Sequence, residues 1–130
     1  MTALPDGLRL RMLEHARSSP GREVCGLVGG MAGRPVNYYP VANEAPDPAR
    51  RFLMNPEAQL DAMRRMREAG EDLFGIFHSH PGSPAEPSAT DRELAFYPGV
   101  VYYIASLLPS APQLQAWYFD GKEFFEVHDQ

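Results

Sequence analysis

Residues 73–91 read LFGIFHSHPGSPAEPSATD, and this stretch constrains the chain more than any other. An apolar run of strand character ends in His78-Ser79-His80. After seven intervening residues comes Ser88, and after two more Asp91. Side chains alternate along a strand, so His78 and His80 share a face, about 6.6 Å apart at Cα, while Ser79 points the other way. From one face both imidazoles can tilt onto one ion. The Pro/Gly/Ser loop at 81–87 lets the chain turn back over the strand end and bring Asp91 in as a third ligand. Two nitrogens and one carboxylate leave a fourth position for water, which separates a catalytic zinc site from a closed structural one.

Bound zinc brings the pKa of water to about 7, but a base must still take the proton and pass it to the leaving group. Glu23 is the candidate, at the mouth of the apolar strand EVCGLVGG. Ser88 can donate to the oxygen that turns negative when a carbonyl is attacked. Each residue also has an ordinary structural role open to it. Ser88-Ala89-Thr90-Asp91 resembles a capping box with Asp in place of Glu, and a helix start of that kind is compatible with the metal reading. A solitary His-x-His is commonly a surface or core feature, and glutamates often flank strands. The chemical reading therefore rests on the constellation. Cys25 reads as a small buried residue, with a minority reading that sets its thiol beside the metal. His15 and His128 have no ligand spacing to anything, and the paired aromatics read as sheet packing.

The rest of the pattern frames this site. Residues 6–18 should form a helix, with Asp6 as its cap and Leu8, Met12, Leu13 and Ala16 inward. Residues 23–29 read as a short strand closing on Gly29-Gly30, 35–42 as an outer strand because Pro40 lacks a ladder donor, and 43–50 as a loop. Arg51 to Met54 reads as briefly extended. Asn55 caps a second helix with Pro56 first, Leu60, Met63 and Met66 inward and Gly70 at its end. After strand 73–79, a short helix should run from Ser88 to about Phe96. Strands follow at 100–108, 114–119 and 122–127, the last two joined at Asp120-Gly121. Helices set before and between mixed strands predict an α/β fold, a three-layer α/β/α sandwich around a mixed β-sheet.

At 130 residues the chain fits a single domain, 1–130. A formal net charge of −5 without a basic cluster argues against nucleic acid as a partner. No apolar run approaches the roughly 20 residues of a membrane span. The N-terminal MTALPDGLRLRMLEHA lacks the apolar core of a signal peptide. One cysteine excludes an internal disulfide and fits a reducing, cytoplasmic setting.

Taken together, His78-Ser79-His80, Ser88, Asp91 and the upstream Glu23 in EVCGLVGG resemble the complete motif of the JAMM (MPN-plus, Mov34/PAD-1-like) metalloproteases. The likeness runs from the first helix to about Leu108. It implies a JAB/MPN domain with a sheet similar to that of cytidine deaminases. It also implies Zn2+ held by His78, His80 and Asp91, with Glu23 as general acid/base and Ser88 stabilising the tetrahedral intermediate. The short loops at 43–50 and 81–87 resemble the compact prokaryotic branch. The substrate implied is a ubiquitin-like or sulfur-carrier protein, cut after its C-terminal diglycine, and such a tail could dock as a strand beside the sheet. The alternative is a non-catalytic MPN-type scaffold, whose members typically lack these ligands. A deaminase would need a cysteine pair on zinc, which one cysteine cannot provide.

Overall fold

The computed structural model describes residues 4–110 and 113–128. Helix α1 (Asp6–Ser18) precedes the hairpin β1 (Cys25–Met31) and β2 (Arg34–Val41). Helix α2 (Pro56–Glu68), strand β3 (Asp72–His80) and helix α3 (Ala89–Leu94) follow, then β4 (Val101–Ser106), β5 (Leu114–Phe119) and β6 (Phe124–Val127). The strands form one six-stranded sheet in the order β2-β1-β3-β4-β5-β6. Only β3 and β4 pair in parallel, with α3 in the crossover between them. The other neighbours are antiparallel.

Strand alternation divides the core in two. On one face α1 buries Leu8, Met12, Leu13 and Ala16 with Val28, Tyr38, Phe77 and Tyr103. On the other, α2 buries Ala62 and Met66 with Leu27, Tyr39, Ile76 and Tyr102. Neighbours in sequence thus serve opposite layers, as Tyr38 and Tyr39 do, and the α/β/α sandwich follows. His78 and His80 have the parity of Ile76, so the candidate ligands belong to the α2 layer, at the C-terminal end of a central strand.

Several boundaries differ from expectation. Pro5, not Asp6, occupies the N-cap of α1 with no side-chain bond, and Asp6 lies in the first turn. Strand β1 begins two residues later than expected and continues through Gly29 and Gly30, which do not end it. Both glycines answer crowding: a Cβ at Gly29 would collide with Glu71 Oε1, and one at Gly30 would meet Phe74 at 2.8 Å. Glu71 is buried there, accepting from Asn37 Nδ2 at 2.5 Å and from the Tyr39 hydroxyl at 2.8 Å. Leu60, expected inward, is 63% exposed, and α2 presents Ala62 and Met66 to the sheet. Helix α3 stops at Leu94 because Ala95 is already extended. Strand β4 stops at Ser106, whose hydroxyl takes the Leu108 N–H in a turn.

The cap of α2 and the edge reading of Pro40 match the structure. Asn55 accepts from the Ala58 N–H at 2.9 Å with Pro56 opening α2, and Gly70 adopts φ +76°. Pro40 lies on the edge strand β2. Strand β5 pairs with both β4 and β6. No helix among the described residues is long and apolar enough to cross a membrane.

Candidate metal centre

The singled-out side chains converge. Glu23, His78, His80 and Asp91 each offer a ligand atom, all within 4.8 Å of one another. His78 Nε2 lies 3.0 Å from Asp91 Oδ2, His80 Nε2 lies 3.1 Å from the same oxygen, and the two Nε2 atoms are 3.1 Å apart. Both imidazoles are buried.

Local chemistry fixes each donor. The His80 Nδ1–H donates to the Pro84 carbonyl at 2.7 Å, which leaves Nε2 as a lone pair aimed inward. Pro84 belongs to the loop after β3, which is itself tied down: Ser106 Oγ donates to the Ser83 carbonyl and Trp117 Nε1–H to the Ala85 carbonyl. The Phe52 ring stacks on His78 at 4.6 Å between centroids and 28° between planes. Asp91 is set by a true capping box: the Ser88 N–H donates to Asp91 Oδ2 at 2.9 Å, and the Asp91 N–H donates to Ser88 Oγ at 3.0 Å. The structural and chemical readings of Ser88-x-x-Asp91 thus hold together. Ser88 sits against this group through Asp91: its N–H donates to Asp91 Oδ2, and its hydroxyl accepts from the Asp91 N–H and keeps its own proton to donate.

The electrostatics are those of a cation site. Burial opposes ionisation of Asp91, but the two imidazoles and the Ser88 amide outweigh it and hold the carboxyl well below the usual range. Burial pulls His78 down, favouring the neutral imidazole that metals bind. At His80 burial pulls the same way, yet the bonds to Asp91 and Pro84 raise it. Burial pushes Glu23 up to about 8, against the pull of His80. Two buried atoms, Glu23 Oε1 and His78 Nδ1, have no hydrogen-bond partner.

These residues fit a metal ion. An ion with bonds of about 2.0–2.1 Å and tetrahedral angles holds its ligand atoms about 3.3 Å apart, close to the 3.0–3.1 Å separations found. The orphaned Glu23 oxygen faces a site where water on such an ion would need an acceptor. Cys25 is not in the group. Its thiol donates to the Val41 carbonyl at 3.3 Å, and burial, with Glu23 adding to it, pushes its pKa up to about 12.

Beside the metal donors opens a cavity of about 410 Å³, walled by Phe52, Leu53, Leu94, Phe96, Tyr97 and Tyr102, with His78 and Asp91 at its margin. Phe52, the Pro84 carbonyl and Ser79 escaped the sequence reading. Strand alternation did place Ser79 on the opposite face, but its partner there, Val24, lies 55 residues away.

A two-imidazole, one-carboxylate donor set with a second carboxylate beside it defines a hydrolytic metal site, here at the end of a central strand in an α/β/α sandwich. The chain belongs to the prokaryotic homologues of the JAB domain, the family whose model matches residues 5–120. It is 39% identical over 122 residues to a desampylase from Haloferax volcanii, covering 89% of this chain and 86% of that one. It is 37% identical over 97 residues to a CysO-cysteine peptidase from Mycobacterium tuberculosis, covering 73% of this chain and 66% of the peptidase. A protein from Desulfitobacterium hafniense, solved in solution, superposes with a TM-score of 0.86 at 36% identity, covering all of this chain and 92% of that one.

Proposed function

We propose that this chain is a zinc-dependent metallopeptidase that hydrolyses the peptide or isopeptide bond after the C-terminal diglycine of a ubiquitin-like or sulfur-carrier protein. The observation that carries this reading is the convergence of His78 Nε2, His80 Nε2 and Asp91 Oδ2, with Glu23 alongside and one of its oxygens unpartnered. In it, His78, His80 and Asp91 hold the ion. A zinc ion held there would supply Lewis acidity, lowering the pKa of a water and polarising the substrate carbonyl. Glu23 takes the proton from the attacking water and delivers it to the leaving amine, a double task suited to a carboxyl whose proton affinity burial has raised. The Ser88 hydroxyl donates to the carbonyl oxygen as it gains charge.

The names of the relatives, a desampylase and a CysO-cysteine peptidase, support the substrate class. Docking of the tail as an added sheet strand finds no support beside the metal donors. The edges of the sheet are β2 and β6, and β3 lies between β1 and β4. At about 4.8 Å per strand, the nearer edge is two strands away. The apolar cavity next to His78 and Asp91 is the better channel, and two glycines bring bare backbone to the ion. A cytoplasmic setting suits a buried free thiol at Cys25.

Intact-mass spectrometry tests the reading. A diglycine-ending carrier extended by cysteine or a short peptide is incubated with zinc-loaded protein. Loss of the extension, after the second glycine, is the expected result; an unchanged mass with zinc bound counts against the substrate class.

A further inference from the structure

We infer that Asn43 is a positioning residue for Glu23, tying its backbone to the loop that also lays Phe52 on His78. The inference rests on the role proposed for Glu23.

Glu23 Oε1 has no hydrogen-bond partner, so that oxygen is aimed by the main chain that carries it. The main chain of Glu23 is held from one loop. Its N–H donates to the Pro48 carbonyl at 2.6 Å, and its carbonyl accepts from Asn43 Nδ2 at 2.9 Å. The same Nδ2 donates to the Arg51 carbonyl at 3.1 Å. Asn43 Oδ1 accepts from the Ala45 N–H at 3.0 Å and the Leu53 N–H at 2.9 Å. Both amide protons and both lone pairs of the oxygen are thereby used. The backbone of Asn43 is held in turn: its carbonyl accepts from Arg22 Nη2 at 3.1 Å.

One side chain therefore joins positions 23, 45, 51 and 53. Phe52 lies between the two loop residues it holds, and that ring is the one stacked on His78. Asn43 bonds to none of the proposed ligands His78, His80 and Asp91 and does not line the cavity; it acts through Glu23 and Phe52. A displacement near 1 Å at a reacting group costs on the order of 100-fold in rate, so slack at this anchor should appear in turnover before it appears in metal binding.

The test compares Asn43→Ala and Asn43→Asp with Glu44→Gln, a change in the same loop at a side chain whose partner is Asn55. Asn43→Asp keeps the acceptor for Ala45 and Leu53 but removes the donors to Glu23 and Arg51, so the N–H bonds that fold the loop onto position 43 remain while Glu23 is released. Two readouts are taken on zinc-loaded protein. The first is cleavage of the cysteine-extended carrier. Both Asn43 variants should keep one zinc per chain and lose at least about tenfold in kcat with KM within about twofold, while Glu44→Gln stays at the wild-type rate. The second is amide hydrogen exchange, which needs no substrate. The Glu23 amide should exchange at least about tenfold faster in both Asn43 variants, with Ile76 in β3 unchanged. Wild-type kcat in Asn43→Asp, or unchanged protection of the Glu23 amide, overturns the inference. A wild-type protein that cleaves nothing, yet whose Glu23 amide is freed by Asn43→Asp, overturns the peptidase reading and upholds the anchoring.

Discussion

Ser79 and Val24 are bonded to each other in both directions: the Ser79 N–H donates to the Val24 carbonyl at 3.0 Å, and the Val24 N–H donates to Ser79 Oγ at 2.9 Å. Ser79 stands between the two histidines and faces away from them into the α1 layer, fully buried. Val24 follows Glu23. The middle residue of His-Ser-His thus sets the distance between the imidazole pair and the carboxylate beside it.

Ser79→Ala should strip the buried Val24 N–H of its side-chain acceptor. Leaving such a group unsatisfied costs about 1–3 kcal/mol, read as a lower urea midpoint with an unchanged slope. A wild-type midpoint would show that the Val24 N–H finds another partner.

His80→Ala removes a proposed ligand together with the bond that orders Pro84. Zinc affinity should fall by more than the roughly 10–100-fold that loss of an outer-shell partner costs, measured by competition with a chelator. Unchanged metal content in this variant would refute the ligand assignment.

Gly75→Ala should be more damaging than its size implies. A Cβ at this position of β3 would meet the Val101 carbonyl at 2.6 Å and the Tyr103 ring at 2.9 Å. The carbonyl belongs to the neighbouring strand and cannot rotate away. Overpacking of this kind costs about 1–3 kcal/mol, measured by thermal or urea denaturation. Gly82→Ala, where a Cβ meets nothing within 4 Å, serves as the control.

The pH dependence of stability should carry a contribution from His15. Its Nδ1 is paired with the Tyr38 hydroxyl at 2.6 Å, and burial lowers its pKa below 6.5. A depressed histidine favours the fold while neutral. That contribution is present above pH 6.5 and is lost as the pH falls through the folded-state value, because the unfolded chain binds the proton more readily. His15→Gln should therefore flatten the loss of stability as the pH falls below 6.5. An equal loss in variant and wild type would assign the acid sensitivity elsewhere.

Local rules made much of the fold readable in advance. Asn55 before Pro56, alternation through LFGIFHSH and Asp120-Gly121 before the last strand are decided by residues a few positions apart. Gly29 and Gly30 misled because they read as a strand end, whereas they make room for Glu71 and Phe74, some 42 to 44 residues further on. Leu60 misled because α2 turns a stripe of small and flexible residues, Ala62 and Met66, toward the sheet. At the site, residue types and spacing named the side chains that converge. What holds them does not show in spacing, since Ser79 with Val24, Asn43 with Glu23 and Phe52 with His78 are each long-range pairings.

The most direct test of the account is cleavage by zinc-loaded Glu23→Gln, with metal content measured on the same sample. The substitution keeps the shape of the side chain and removes its ability to take a proton. One zinc per chain with no detectable cleavage of the cysteine-extended carrier is the expected result. Turnover at the wild-type rate with zinc bound would contradict it, removing Glu23 from the chemistry.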